Sequence, residues 1–527
     1  MEFRNLDQHP VFCQLKDRAV PPDMRTLLDA RRVAEYACSM EHDMFFNYAA
    51  TPMTDATLDL LQDLAQQAGV LEQYHAVLNG AIMNASENRM VLHHLTRGQC
   101  GAPVVYQGVD LGEFYRHEHQ RIAEFSHRVH SGEVRSSAGH AFKYLCQIGI
   151  GGSDLGPRAL YLALEQETRR CKEQKMEAEF ISNVDPDDAA RVLRRLDLAR
   201  TLFILVSKSG TTQETLTNAA LVREALNDAG LSPTQHMVVV TAQGSPLAQD
   251  TQLLERFYID DFVGGRFSST SAVGGVLLTL CFGAQVFAQL LEGAHHQDKL
   301  ALQENIRANP ALLDALIGVY LRNCLGYSAT AMLPYSQALQ RFPAHLQQLD
   351  MESNGKHVNR SGQILDYATG PVIFGEPGTN GQHSFYQLLH QGTEIIPVQF
   401  VGFVCSQSDA DRVFEGSTSQ QKLNANLAAQ IVAFAKGKDA VDPNNSFDGG
   451  RPASLIHAPR LTPRCLGALL AHYENKVMFQ GFLWNLNSFD QPGVQLGKLL
   501  AGQVLRGTSE DGALRAYADC LGIGSVS

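Results

Sequence analysis

Residues 144–164 read YLCQIGIGGSDLGPRALYLAL, and this stretch decides the fold. An apolar run over 144–150 indicates a buried strand, and Gly151, Gly152, Ser153 and Asp154 break that run with a turn. Apolar residues then recur at helical spacing, with Pro157 in the first turn, where proline is tolerated. Strand, glycine loop and helix in this order form the repeating unit of an α/β fold.

The same order of elements recurs further along the chain. Residues 201–206, TLFILV, predict a strand that leads into SKSGTT at 207–212 and then into a helical pattern from Gln213. Residues 237–241, MVVVT, predict another buried strand. Strands that alternate with helices pair in parallel through right-handed crossovers, so we expect a mainly parallel sheet.

A second α/β lobe is predicted after a helical stretch near 298–326, because strand-like runs return at 328–333, 371–374 and 394–401. The length of 527 residues allows between three and four units of roughly 150 residues. We predict a helical N-terminal segment (1–110) packing on the large lobe, a first lobe (111–290), a second lobe (291–500) and a C-terminal extension (501–527).

Composition narrows the class of protein. Hydrophobic residues make up 44 %, the opposite of a disordered chain, and the net charge of −12 provides no basic field for nucleic acid or anionic membrane. Residues 267–291 lack charges, but Ser268–Ser271 and two glutamines leave the apolar part shorter than the ~20 residues that a bilayer requires. A helix buried in a globular core is therefore expected there.

The ten cysteines show no CxxC spacing and are predicted to be reduced thiols of a cytoplasmic protein. The N-terminus has no apolar segment behind basic residues, so no secretory signal is predicted. Adjacent histidines such as His93 and His94 diverge by ~100° on a helix and cannot easily share one ion. Neither a metal nor an organic cofactor is predicted.

The loop at 207–212 is the best candidate for binding a phosphate. It combines a glycine, four hydroxyls and a lysine at the start of a predicted helix, whose free N–H groups attract anions. Simple N-capping is the structural alternative. The candidate ligands here are Ser207, Lys208, Ser209, Thr211 and Thr212.

Four further segments carry residues suited to chemistry. Gly149–Gly156 lacks the third glycine of a dinucleotide fingerprint, so Gly152 and Ser153 are interpreted as part of a turn facing the same pocket as the 207–212 loop. Arg266, after two glycines, could grip an oxyanion or form a surface salt bridge. Glu352 lies in a polar turn that is a solvated loop by default but could hold a base. His383 lies at a helix start and suits acid–base work, although a lone histidine is more often structural.

Six segments, in order and over nearly the whole chain, resemble the phosphoglucose isomerase family. They are IGIGGSDLGP (148–157), SKSGTTQET (207–215), VGGRFS (263–268), MESNGK (351–356), GEPGTNGQHSFYQLLHQGT (375–393) and FDQPGVQLGK (489–498). The resemblance implies two sugar-isomerase-type α/β lobes, a homodimer with an active site shared between subunits, and conversion of glucose 6-phosphate and fructose 6-phosphate in glycolysis and gluconeogenesis.

The resemblance also implies roles for single residues. Glu352 matches the base that moves a proton between C2 and C1 through a cis-enediolate, and Arg266 matches the cation beside that intermediate. His383, which in the family comes from the partner subunit, and Lys498 match the ring-opening groups. Positions that match the substrate-binding residues of the family are Gly152, Ser153, Ser207, Lys208, Ser209, Thr211, Thr212, Gln348 and Gln491. Gln495 departs from the family, which usually has Glu there.

Two other functions remain open from the sequence. Such lobes also serve as non-catalytic sensors of sugar phosphates, although retention of the acid, the cation and the histidine argues against this. An isomerase with another phosphosugar preference is the second alternative.

Overall fold

The computed structural model describes residues 3–41 and 43–523. The strands in this part of the chain are β1 (Ala37–Ser39), β2 (Phe45–Asn47), β3 (Ile82–Asn84), β4 (Arg89–Met90), β5 (Val105–Tyr106), β6 (Val109–Asp110), β7 (Tyr144–Ile148), β8 (Glu177–Ile181), β9 (Thr201–Val206), β10 (Met237–Thr241), β11 (Glu255–Tyr258), β12 (Ala329–Pro334), β13 (Val372–Phe374), β14 (Val398–Phe403), β15 (Val413–Phe414), β16 (Ser417–Thr418) and β17 (Ala453–Ala458).

The α-helices in the same residues are α1 (Pro10–Asp17), α2 (Met24–Leu27), α3 (Ala30–Glu35), α4 (Asp55–Gln67), α5 (Val70–Leu78), α6 (Leu111–His130), α7 (Leu155–Arg170), α8 (Pro186–Leu193), α9 (Gln213–Asp228), α10 (Ala272–Phe282), α11 (Ala284–Leu300), α12 (Pro310–Val319), α13 (Phe342–Gln347), α14 (Tyr386–Gln391), α15 (Ser419–Lys436), α16 (Pro463–Leu483), α17 (Gln495–Leu505) and α18 (Gly512–Cys520). The predicted α/β class with mainly parallel sheets is confirmed.

The first sheet has five parallel strands in the order β11-β10-β9-β7-β8. All side chains of β9 and β10 are buried, as the continuous apolar runs TLFILV and MVVVT predict for strands covered on both faces. Helices α7 and α9 follow β7 and β9, which confirms the two predicted strand–loop–helix units.

The second sheet has six strands in the order β1-β2-β17-β14-β12-β13. Its last four strands pair in parallel, whereas the N-terminal strands β1 and β2 add an antiparallel edge. The strand predicted over 394–401 begins only at Val398, so the prediction for residues 394–397 is wrong. Pro397 has no N–H to donate to a ladder, and only its carbonyl is used, by the amide of Ala331.

Apolar helices contribute to the core together with the strands. Helix α10 is buried along its whole length, as predicted for the uncharged stretch, and Gly283 at φ 92° separates it from α11. Helix α11 packs on α16 at glycines: a Cβ on Gly293 would come within 1.9 Å of the Arg464 carbonyl oxygen, and one on Gly467 equally close to that of Leu290. None of the helices in the described residues is long and apolar enough to cross a membrane.

The chain divides into two compact units, one ending at Ser488 and the other beginning at Phe489. Both sheets belong to the first unit. In the second unit, a 3₁₀ turn (Pro492–Val494) precedes α17, which packs on α18. The predicted segment boundaries at 110, 290 and 500 stay predictions.

Candidate active site

Three loops that carry predicted site residues emerge from one edge of the first sheet. Strands β7, β9 and β11 run parallel, so their carboxyl ends meet at the same edge, which is where ligands bind in open α/β sheets. The loops begin after Ile148, Val206 and Tyr258.

The loop after β7 is shaped by backbone contact. Its 3₁₀ turn, Gly151–Ser153, packs against a second 3₁₀ turn, Gly265–Phe267, from the loop after β11. A Cβ on Gly152 would lie 2.2 Å from the carbonyl carbon and oxygen of Gly265, so only glycine fits. Gln147 fixes the end of the turn by donating from Nε2 to the Ser153 carbonyl at 2.7 Å.

The loop after β9 presents hydroxyls at the start of α9. Ser207 is buried and its Oγ lies 3.0 Å from Thr212 Oγ1, whereas Ser209 and Thr211 are exposed and hydrogen-bond to each other at 3.0 Å. Gly210 turns the chain at φ 67°, where its amide reaches Ser207 Oγ at 3.2 Å. The side chain of the N-cap residue Thr212 makes no capping bond within the described helix, and its hydroxyl pairs with that of Ser207 instead.

Lys208 connects this loop to the loop after β11. Its ammonium donates to the carbonyl oxygens of Asp261 (3.0 Å) and Val263 (2.9 Å) and lies 3.9 Å from Asp261 Oδ1. Burial lowers the pKa of Lys208, while the nearby Asp261 and Asp260 oppose that shift. The lysine therefore anchors the segment that leads directly to Gly264, Gly265 and Arg266.

Arg266 is buried rather than part of a surface salt bridge, with 2 % of its surface exposed. Its Nε donates to Ser353 Oγ and its Nη2 to the Ser488 carbonyl, both at 2.6 Å. Its Nη1 lies 3.4 Å from Oε2 of Glu352. The guanidinium is thus a fixed positive charge beside a carboxylate.

Glu352 lies in a helix, so the expectation of a solvated polar loop is wrong. A π-helical turn (Gln348–Glu352) continues α13, and Asp350, Ser353 and Asn354 are buried. The Ser353 hydroxyl and the Asn354 amide find partners inside the protein, which a polar sequence alone does not reveal. Glu352 Oε2 has no hydrogen bond among the described residues, so this oxygen can still accept a proton.

Gln348 brings the helical turn to the glycine loop. Its Nε2 lies 3.3 Å from the position that a Cβ on Gly151 would occupy. The structure therefore brings together Gly152, Arg266, Gln348 and Glu352. The 207–212 loop is joined to them through Lys208.

Three other predicted residues are exposed. His383 ends a 3₁₀ turn (Asn380–His383) and is exposed, with no hydrogen bond to any described residue that the structure shows. Gln491 and Lys498 lie in the second unit, the former just before its 3₁₀ turn and the latter in the first turn of α17, and both are exposed.

Sequence reasoning missed Ser353, Asn354 and Ser488, which surround Arg266. The first two lie inside the MESNGK segment, and Ser488 directly precedes FDQPG, so their proximity to motif residues was the available signal. It missed Asp350 as well, whose pKa burial raises to about 6 while Lys476 opposes the shift.

No group of three or more His, Cys, Asp or Glu side chains in the described residues could hold a metal ion. All ten cysteines are free thiols, four of them buried. The arrangement contains a proton acceptor, an adjacent fixed cation and a hydroxyl-rich loop at a helix start. A base and an electrostatic stabiliser are what enolisation next to a carbonyl requires, and the loop can anchor an anionic tail.

Comparison with known proteins gives one consistent result. A family model described as "Phosphoglucose isomerase" matches residues 47–519. Glucose-6-phosphate isomerase of Treponema denticola is 57 % identical over 99 % of this chain and 100 % of its own length, and that of Borreliella afzelii is 45 % identical over 98 % of each chain. The crystal structure of a glucose-6-phosphate isomerase from Chlamydia trachomatis superimposes with a TM-score of 0.93 at 42 % identity, covering 99 % of this chain and 100 % of that one.

Proposed function

Because the chain belongs to the phosphoglucose isomerase family of aldose–ketose isomerases, we propose that it interconverts glucose 6-phosphate and fructose 6-phosphate. The proton moves between C2 and C1 through a cis-enediolate. The observation that carries this proposal is the 3.4 Å approach of Arg266 to Glu352, whose Oε2 has no hydrogen bond to residues 3–41 or 43–523. The reaction serves glycolysis and gluconeogenesis.

Glu352 takes the C2 proton of the aldose and returns it to C1 as the ketose forms. The Arg266 guanidinium stabilises the negative charge that develops on the enediolate oxygens, because a fixed cation needs no reorganisation as that charge appears. Ser207, Ser209, Thr211 and Thr212 hold the phosphate with the N-terminus of α9. This remote anchor aligns C1 and C2 with the base.

Gln348 and Gln491 line the sugar in this scheme, Ser153 joins the residues that hold the phosphate, and Gly152 also contacts the substrate. Lys208 contributes positive charge to the phosphate loop and holds the Asp261–Val263 backbone. His383 and Lys498 open the sugar ring before enolisation. The exposure of His383 supports an active site completed in a homodimer, in which this histidine serves the site of the second subunit. A cytoplasmic location is consistent with the ten free thiols.

The test is to supply fructose 6-phosphate to the purified protein and to detect glucose 6-phosphate. Turnover supports the proposal, whereas binding without turnover identifies a sugar-phosphate sensor. Mannose 6-phosphate and arabinose 5-phosphate as parallel substrates measure the phosphosugar preference. A higher kcat/KM on either of these would contradict the proposed substrate pair.

A further inference from the structure

The Arg266 guanidinium is held along one edge by the protein itself. Its Nε–H and one Nη2–H point in the same direction, and this edge is the one that usually grips a carboxylate or phosphate bidentately. Here Ser353 Oγ and the Ser488 carbonyl oxygen occupy it, each at 2.6 Å. Nη1 lies 3.4 Å from Glu352 Oε2. Arg266 is thus oriented before any substrate arrives.

Ser488 is held in turn by Asn354. The Ser488 hydroxyl donates to Asn354 Oδ1 at 2.7 Å, and Asn354 Nδ2 donates to the Val477 carbonyl on α16 at 2.9 Å. Ser353 and Asn354 have no exposed surface and Ser488 has 1 %. A Cβ on Gly481 would lie 1.9 Å from Ser488 Oγ, so glycine at this position leaves space for the serine hydroxyl. Leaving any of these buried polar groups unpaired would cost free energy, so this series of hydrogen bonds has one preferred geometry.

We propose that Ser353, Asn354 and Ser488 are positioning residues that aim the Arg266 guanidinium at the enediolate. Asn354 acts through the Ser488 carbonyl, and Ser353 acts directly on Nε. The inference rests on the proposed function, because it concerns the cation of that reaction. A displacement of about 1 Å in a catalytic group can cost about a hundredfold in rate, so the orientation of Arg266 matters for turnover.

Ser488→Ala tests the proposal, because it removes the hydroxyl that reaches Asn354 and keeps the carbonyl that holds Arg266. We expect kcat in the fructose 6-phosphate direction to fall about tenfold with KM nearly unchanged, since the lost interaction acts in the transition state. The inhibition constant of a hydroxamate that mimics the enediolate should rise by the same factor. Inhibition by inorganic phosphate should stay at the wild-type value.

The isotope effect on glucose 6-phosphate deuterated at C2 should also increase in Ser488→Ala, because proton abstraction becomes more rate-limiting. Ser126→Ala is the matched control. Ser126 lies on α6 and is similarly buried, and its hydroxyl donates to the Thr279 carbonyl at 3.0 Å. This control should keep the wild-type kcat, hydroxamate affinity and isotope effect. Ser353→Ala provides a second variant if Ser488→Ala does not fold, with the same expected pattern.

A rise in KM at constant kcat, or an equal loss of hydroxamate and phosphate affinity, would overturn the positioning role. Wild-type values for both Ser488→Ala and Ser353→Ala would do so as well. These outcomes differ from failure of the proposed function, in which the wild-type protein itself converts no sugar phosphate.

Discussion

Glu352 combines two properties that a polar sequence segment does not display. Its side chain is 19 % exposed and lies next to a guanidinium that is 2 % exposed, yet its Oε2 has no hydrogen bond among the described residues. A carboxylate that lies beside a fixed cation, and has one oxygen without a hydrogen bond, can exchange a proton with a neighbouring carbon acid. The charge of Arg266 and the basicity of Glu352 are therefore available at the same point.

The substitution Glu352→Gln should abolish exchange of the C2 proton with solvent and reduce isomerase activity by about a thousandfold, since general-base catalysis contributes on that order. Gln is nearly isosteric, so the affinity for a phosphate-bearing inhibitor should change little. Deuterium incorporation from D₂O, followed by NMR, measures the exchange. Undiminished exchange in this variant would refute the role of Glu352 as base.

Asp350, two residues earlier, makes stability depend on pH. Burial raises its pKa from 3.8 to about 6, so the folded state binds this proton more tightly than the unfolded chain. Its contribution to stability is fully present below pH 3.8 and is lost as the pH rises through 6.

Asp350→Asn should match the wild type near pH 4 and exceed it at pH 7.5 by up to about 3 kcal/mol, because each pKa unit corresponds to about 1.4 kcal/mol. The attraction between Lys476 and the ionised Asp350 is already included in this value, because it opposes the rise of the pKa. Midpoints of urea denaturation at the two pH values give the measurement, with the exposed Asp59→Asn as control. A gain that is the same at both pH values would contradict the account.

At the scale of elements, close helix packing depends on two glycines. Gly293 on α11 and Gly467 on α16 face the partner backbone so closely that a methyl group would overlap a carbonyl oxygen. Helix α16 is buried almost throughout and also carries Val477 and Gly481, which contact the network around Arg266. A shift of this helix would therefore reach the site.

Gly467→Ala should destabilise the protein by about 2 kcal/mol or more, because overpacking forces the helices apart. The fall in the midpoint of thermal denaturation measures the effect. Gly512→Ala is the control: this residue begins α18, and a Cβ there would meet no atom within 4 Å. Equal midpoints for Gly467→Ala and the wild type would show that the packing tolerates the extra methyl group.

At the scale of the whole molecule, the proposed reaction needs more than the pocket of the first unit. Glu352 and Arg266 lie side by side and the 207–212 loop is joined to them through Lys208, but His383 is exposed and shows no hydrogen bond to the described residues. In a two-fold symmetric dimer, a residue that lies outside its own site can complete the site of the other copy.

Mixing Glu352→Gln subunits with His383→Ala subunits should therefore restore activity. Each mixed dimer would contain one site with both lesions and one intact site, so random exchange should yield about a quarter of the wild-type rate. The mixture is assayed after dissociation and reassociation, and each variant alone is the control. If the mixture is no more active than the average of the two variants, the site is not shared.

Some features followed from the order of residues alone. They depend on residues that are close in sequence. Continuous apolar runs predict buried parallel strands, and glycine and proline mark turns and helix starts. The 207–212 hydroxyl loop lies where its predicted strand meets its predicted helix. The motif segments identified the family. Pro397 shows a limit of this reasoning, since the apolar run around it predicts a strand from residue 394, whereas the strand begins at Val398.

Only the tertiary structure decided how these segments cooperate. The polar stretch 348–354 is a partly buried helical turn, in which Arg266, Val477 and Ser488 supply partners for Ser353 and Asn354 from distant parts of the chain. Sequence patterns report hydrogen bonds between near neighbours, whereas these contacts join residues that are 87, 123 and 134 positions apart. Whether a carboxylate is solvated or faces a buried cation depends on such long-range contacts.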